Sequence, residues 1–135
     1  MTTKDLKADQ LDIKSCPEAN TIRWILTHLT EVLHIFVPKV LTSNKEYKPE
    51  GWPEDYICNP SYSLEKILGD LEASKAEYLE RLEKIDIKSL DETLDWFYGV
   101  QPREVYLMLA ISEIHHHEGQ ISAILGIEKR MQGLH

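Results

Sequence analysis

Residues 101–125 read QPREVYLMLAISEIHHHEGQISAIL, and this stretch decides the fold class. Pro102 followed by Glu104 suits a helix start. Proline is tolerated at the first helical position, and a carboxylate in the first turn faces the positive end of the helix dipole. Beyond it Val105, Leu107, Met108, Leu109, Ala110, Ile111, Ile114, Ile121, Ala123, Ile124 and Leu125 predict one long helix to about Leu125, with room to continue through Gly126 to Met131. A helix that is apolar on more than one side needs cover on more than one side.

Working outward, Ile22, Ile25, Leu26, Leu29, Val32, Leu33 and Phe36 follow the three-and-four spacing of one helix face. This predicts a helix over 21–37, capped by Asn20 and closed by Pro38. A second stripe of Leu64, Ile67, Leu68, Leu71, Tyr78, Leu79 and Leu82 predicts a helix over 63–85, capped by Ser61 or Ser63. Between them, Pro49, Gly51, Pro53 and Pro60 indicate a long irregular connection, whose Tyr47, Trp52 and Tyr56 suggest partial packing on the bundle. Residues 86–100 form a second connection with room for a short helical turn. Residues 1–20 carry at most a helical turn and a linker. Strand alternation of useful length is absent.

The fold class is therefore all-α, with three long helices in antiparallel order and a single domain over 1–135. Three helices are an awkward number for a bundle, so a homodimer is expected to complete the packing, unless the aromatic connections provide the cover. Hydrophobic residues make up 42% and charged residues 28%, a globular balance. Apolar runs are shorter than a membrane span, and Met1 to Gln10 lack a signal-peptide core, so a cytoplasmic location is expected. The net charge of -8 and the lack of a basic stripe argue against nucleic acid and membrane as partners. Cys16 and Cys58 form no CxxC pair and are read as ordinary thiols.

Chemistry concentrates in Ser112-Glu113-Ile114-His115-His116-His117-Glu118-Gly119-Gln120. Neighbours on a helix point about 100° apart, so one ion cannot take all three histidines. Residues four apart stack on one face, which pairs Glu113 with His117. Both lie on or beside an apolar face, where a carboxylate is costly unless paired or metal-bound. A third ligand must come from another helix. His28 borders the apolar stripe of the first helix, near Ile25 and Val32, and His34 falls further from it. A site of His28, Glu113 and His117 suits Zn, Ni, Fe or Mn as a divalent ion. The competing reading is a hydrogen-bonded Glu113–His117 pair without metal.

His117-Glu118-Gly119-Gln120-Ile121 resembles the H-x-x-x-H-R-G-Q pattern of DinB-like proteins. Thr21 to Leu29, TIRWILTHL, resembles the other ligand helix of that family, often of the form S-I-x-W-L-L-A-H-L. Leu11 to Pro17 resembles the linker entering that helix. The resemblance implies a helical bundle with a divalent metal on three side chains, His28 and His117 matching ligand positions. Family members include thiol-dependent transferases and isomerases, proteins induced by DNA damage, and many without known activity. Three departures stand out. Glu113 occupies a position that is more often histidine, which favours a harder metal. Glu118 replaces the usual arginine. The family's first long helix is short or missing here, which again points to a dimer partner.

If this is an enzyme, Gln120 and His116 would support the ligands or touch substrate, and Glu31, one turn beyond His28, would accept a proton. The expected activity is a metal-dependent transferase or hydrolase acting on a small molecule, with a low-molecular-weight thiol as a possible cofactor. Trp24, Trp52 or Trp96 would wall the pocket. The alternative is a non-catalytic metal-binding or stress-response dimer, in which the metal joins helices.

Overall fold

Thr21, not Asn20, starts the first helix: its Oγ1 accepts the Trp24 N–H at 3.1 Å. In the computed structural model, which describes residues 3–134, that helix, α1, covers Ile22–Thr42. Pro38 does not close it. Residues Val32–Phe36 form a π turn, in which the Val37 N–H reaches back five residues to the Val32 carbonyl, and α-helix resumes over Val37–Thr42 with Pro38 near its start. The wider turn accommodates a residue that has no N–H and whose ring crowds the carbonyl four residues back. The longer helix also corrects the expectation about apolar length. Ile22–Thr42 is long and apolar enough to cross a membrane by length and composition, and 56% of its most apolar window is buried in the fold, as in a core helix.

Helix α2 covers Leu64–Glu83, with the Ser63 Oγ accepting the Lys66 N–H. Helix α3 covers Arg103–Met131, with Pro102 in the capping position just outside it. Contacts set their directions. Along α1 and α3, Ser43 meets Arg103, Phe36 and Tyr106 share the Trp96 ring, and His28 meets Glu113, so the two run antiparallel. Arg23 reaches the Tyr62 carbonyl at the start of α2, and His34 reaches Glu77, so α1 and α2 run the same way, and the expected antiparallel order holds only between α3 and the other two. The 43–63 connection is long because it must return along the whole of α1, about 30 Å at 1.5 Å per residue. It packs down as expected: Tyr56 is buried, between Trp52 at 4.4 Å and Tyr62 at 5.3 Å.

Residues 86–100 depart from an all-helical reading. The short turn is present over Ile87–Asp91, but a β-hairpin follows, β1 (Thr93–Trp96) against β2 (Gly99–Pro102). Trp96 pairs with Gly99, leaving Phe97 and Tyr98 as a two-residue loop, and Gly99 takes the left-handed backbone at φ 74° that glycine tolerates best. Four-residue strands give too little alternation to read as strands. Buried Arg103 fastens the hairpin: its Nη2 donates to Ser43 Oγ at 2.7 Å and Glu92 Oε2 at 3.1 Å. The Tyr106 hydroxyl donates to the Gly99 carbonyl at 2.7 Å.

The core is built from Ile22, Ile25, Leu26, Val37 and Val40 of α1, Ile67 and Leu71 of α2, and Tyr106, Ala110 and Ile121 of α3. Each large apolar side chain so buried contributes about 1.5–3 kcal/mol. Before α1 the described residues hold only 3-10 turns at Thr3–Asp5 and Ala8–Gln10, so the described residues form three long helices, as expected. Leu6 and Leu11 are nonetheless buried, and the Arg23 N–H donates to the Leu11 carbonyl at 2.7 Å.

Candidate metal centre

The two segments singled out in the sequence meet at the α1–α3 contact. His117 points inward from α3, its side chain 7% exposed, while Glu113, one turn earlier, stands at the edge, 48% exposed. The expectation that burial alone would make this carboxylate costly is therefore too strong, since water reaches it. His28 comes from α1, its ring stacked on Trp24 at 4.7 Å and 16°. Its Nε2 lies 3.4 Å from Glu113 Oε2, and His117 Nε2 lies 3.2 Å from the same oxygen. Ligand atoms of the three residues all lie within 4.8 Å of one another.

The hydrogen bond on the far side of His117 decides what these atoms are. His117 Nδ1 lies 2.6 Å from Gln120 Oε1. A carbonyl oxygen only accepts, so Nδ1 carries a proton, and in the Nδ1–H tautomer Nε2 presents a lone pair. In that tautomer the lone pair and a carboxylate oxygen face each other at contact distance with no hydrogen between them. Such an arrangement is repulsive unless the ring gains a proton or a cation lies among the donors. Donors held 2.0–2.2 Å from one ion sit roughly 3.4 Å apart, which matches the 3.2 and 3.4 Å separations. Two imidazole nitrogens and a carboxylate could thus hold a divalent ion of the borderline to hard kind.

The other expected residues divide. Gln120 does orient a candidate ligand. Glu31 is near, its Oε2 3.9 Å from His28 Nδ1. His116 is exposed, its ring at 65° to that of His117 with 5.0 Å between centroids, and it is not among the three residues whose ligand atoms converge. His34 is on the other side of α1, beside Trp52 at 5.4 Å, its Nδ1 2.9 Å from Glu77 Oε2 but out of line for a hydrogen bond. Of the three tryptophans, Trp24 holds His28 and Trp52 is remote. Only Trp96 walls a cavity at the site.

That cavity, about 370 Å³, opens beside His28 and Glu113. Its walls include Phe36 and Trp96, stacked at 5.3 Å and 17°, and the hairpin loop Phe97–Tyr98, with Glu31 and Lys39 on its polar side. Phe36, Lys39 and the hairpin were missed as site residues. The available signal was the run Trp96-Phe97-Tyr98-Gly99, aromatics leading to a glycine that can turn a short hairpin.

Residues 1–121 match the family model of the DinB superfamily. Among solved structures, a DinB-like protein from Bacillus subtilis superposes with a TM-score of 0.67 at 15% identity, over 98% of this chain and 83% of that one. A DinB-like protein from Bacillus cereus gives 0.65 at 22% identity, over 98% and 81%. At these identities the likeness is one of fold. No curated protein gives a significant match.

Proposed function

This chain belongs to the DinB superfamily, and from that premise we propose that it holds one divalent metal ion on His28 Nε2, Glu113 Oε2 and His117 Nε2, at the mouth of a small-molecule cleft. The observation that carries the reading is the convergence of the three acceptor atoms, with the His117 tautomer committed by Gln120. Such an ion supplies Lewis acidity beside the cleft. The chain's own residues do the rest. Gln120 fixes the ring of His117, Trp24 fixes that of His28, and Glu31 stands at the cleft as proton acceptor.

The class of activity we infer is a metal-dependent transferase or hydrolase on a small molecule, with a low-molecular-weight thiol as the natural second substrate to screen. The exposed flank of Glu113 and the adjoining cleft support this over a purely structural site, which would be closed on all sides. A second copy of the chain is expected to cover the apolar surface left by three helices, such as Leu79 and Met108, 59% and 58% exposed. Sedimentation equilibrium returning a monomer at micromolar concentration would remove that part of the reading.

The test is the metal content of tag-free protein by mass spectrometry, beside His28→Ala. About one divalent ion per chain, lost in the variant, is the expected result. Absence of bound metal after addition of Zn²⁺, Ni²⁺ or Mn²⁺ would overturn the proposal and leave Glu113–His117 as a hydrogen-bonded pair.

A further inference from the structure

The cleft beside His28 and Glu113 has two electrically different ends. His28, Val32, Ile35 and Lys39 follow the three-and-four spacing of one face of α1 and all line it. His28 and Lys39 lie roughly 16 Å apart along the axis at 1.5 Å per residue. At the His28 end stand two carboxylates, Glu31 and Glu113; at the other stands Lys39, which makes no ion pair among the described residues. The neighbouring cleft that shares Lys39 also holds Glu31, Glu46 and Glu54, of which Glu54 is taken by Lys48 and the other two make no ion pair with Lys39. Between the ends the wall is aromatic. Phe97 and Tyr98 at its rim are 58% and 61% exposed, apolar surface that a flat apolar body would remove from water. A volume of about 370 Å³ is in the range of small-molecule sites.

We propose that this cleft binds a slender small molecule with a flat apolar body and a carboxylate at the end remote from His28, paired with Lys39. The orientation follows from charge. In the metal-free protein Glu31 and Glu113 repel an anion at their end and Lys39 attracts it at the other. A divalent ion on His28, Glu113 and His117 would reverse the sign of that end, so this orientation is that of the metal-free cleft. The proposal rests on the metal-site reading only for which end of the ligand would react. Binding itself does not require the ion, and this separates the two tests.

The experiment compares 2-naphthylacetate with its neutral amide on EDTA-treated protein. Affinity is read from tryptophan emission, and location from amide chemical shifts around Phe36, Lys39 and Trp96. The acid should bind more tightly than the amide by about threefold or more, the size expected of a partly exposed ion pair. Lys39→Met should bring the two to parity, and Lys39→Glu should make the amide the better ligand, each variant retaining the native circular dichroism spectrum. Equal affinity of the native protein for both, a preference that survives Lys39→Met, or shifts mapping elsewhere would overturn the proposal. Protein that shows the acid preference yet binds no metal supports the cleft and refutes only the metal centre. Protein that binds metal without the preference does the reverse.

Discussion

Gln120→Leu tests the metal centre at the point where the geometry is most specific. The substitution keeps the side chain's bulk and removes the oxygen that accepts from His117 Nδ1 at 2.6 Å. Two consequences differ in size and in readout. His117 is 7% exposed, so its Nδ1–H would lose its acceptor in a nearly dry place, lowering the stability of the chelated protein by about 1–3 kcal/mol. The ring would also be free to place its proton on Nε2, the atom aimed at Glu113. Groups in this supporting position typically change metal affinity by about 10–100-fold, or about 1.4–2.8 kcal/mol. The assay is a competition titration of Zn²⁺ against a chelator of known affinity, with urea unfolding in EDTA alongside. Gln120→Glu keeps an acceptor and should retain tight binding. His116→Ala, at an exposed ring outside the converging cluster, should change neither readout. Gln120→Leu protein that binds Zn²⁺ within about twofold of native would refute the assigned tautomer and role, since an affinity loss of about tenfold is the minimum expected.

Other perturbations test the frame around the site. Arg23, 7% exposed, donates to Asp12 at 2.7 and 3.1 Å and to the Asn59 and Tyr62 carbonyls; Arg23→Met should cost about 2–3 kcal/mol in urea unfolding. The same hydrogen bond holds the Asp12 carboxyl below its ordinary 3.8. Stability from this pair is therefore full above that pH and lost as pH falls through the folded value. Asp12→Asn should flatten the acid limb slightly, because Asp12 is 66% exposed and water screens it. Burial, and then Asp70, push the Tyr56 hydroxyl well above its ordinary 10.0, so its contribution is full below pH 10 and lost as pH rises beyond it. Tyr56→Phe removes the 2.7 Å bond to Asp70 and should cost about 1 kcal/mol while flattening the alkaline limb. Gly99→Ala meets no atom within 4 Å but sits at φ 74°. It should destabilise by about 1 kcal/mol through backbone strain alone and loosen the wall that carries Trp96, measurable as weaker binding of an aromatic ligand.

Glu113 and His117 could be read as neighbours because four residues along a helix is a distance set by the helix itself. His28 could be preferred to His34 because the apolar stripe of α1 says which edge turns inward; His28 meets Glu113, while His34 meets Glu77. Pro38 misled because its usual effect assumes an α-helical turn before it, and five residues in π geometry remove the conflict. The hairpin escaped because Thr93–Trp96 and Gly99–Pro102 are too short for a period, and their burial depends on Phe36 and Tyr106 from other elements. The shared direction of α1 and α2 departs from the expected antiparallel order, since periodicity describes one helix at a time and does not fix how helices pair.

The sequence by itself determined three long helices, the family, and the three residue types that face one another where α1 meets α3. Each follows from spacing along one chain segment, over distances that helix geometry sets. Only the tertiary structure decided that Glu113 stands half in water, that the Gln120 side chain meets His117 Nδ1, and that a hairpin folds back to make a cleft of one acidic and one basic end. Those features depend on which surfaces meet across tens of residues, and the free energy that selects them is that of packing rather than of local backbone preference.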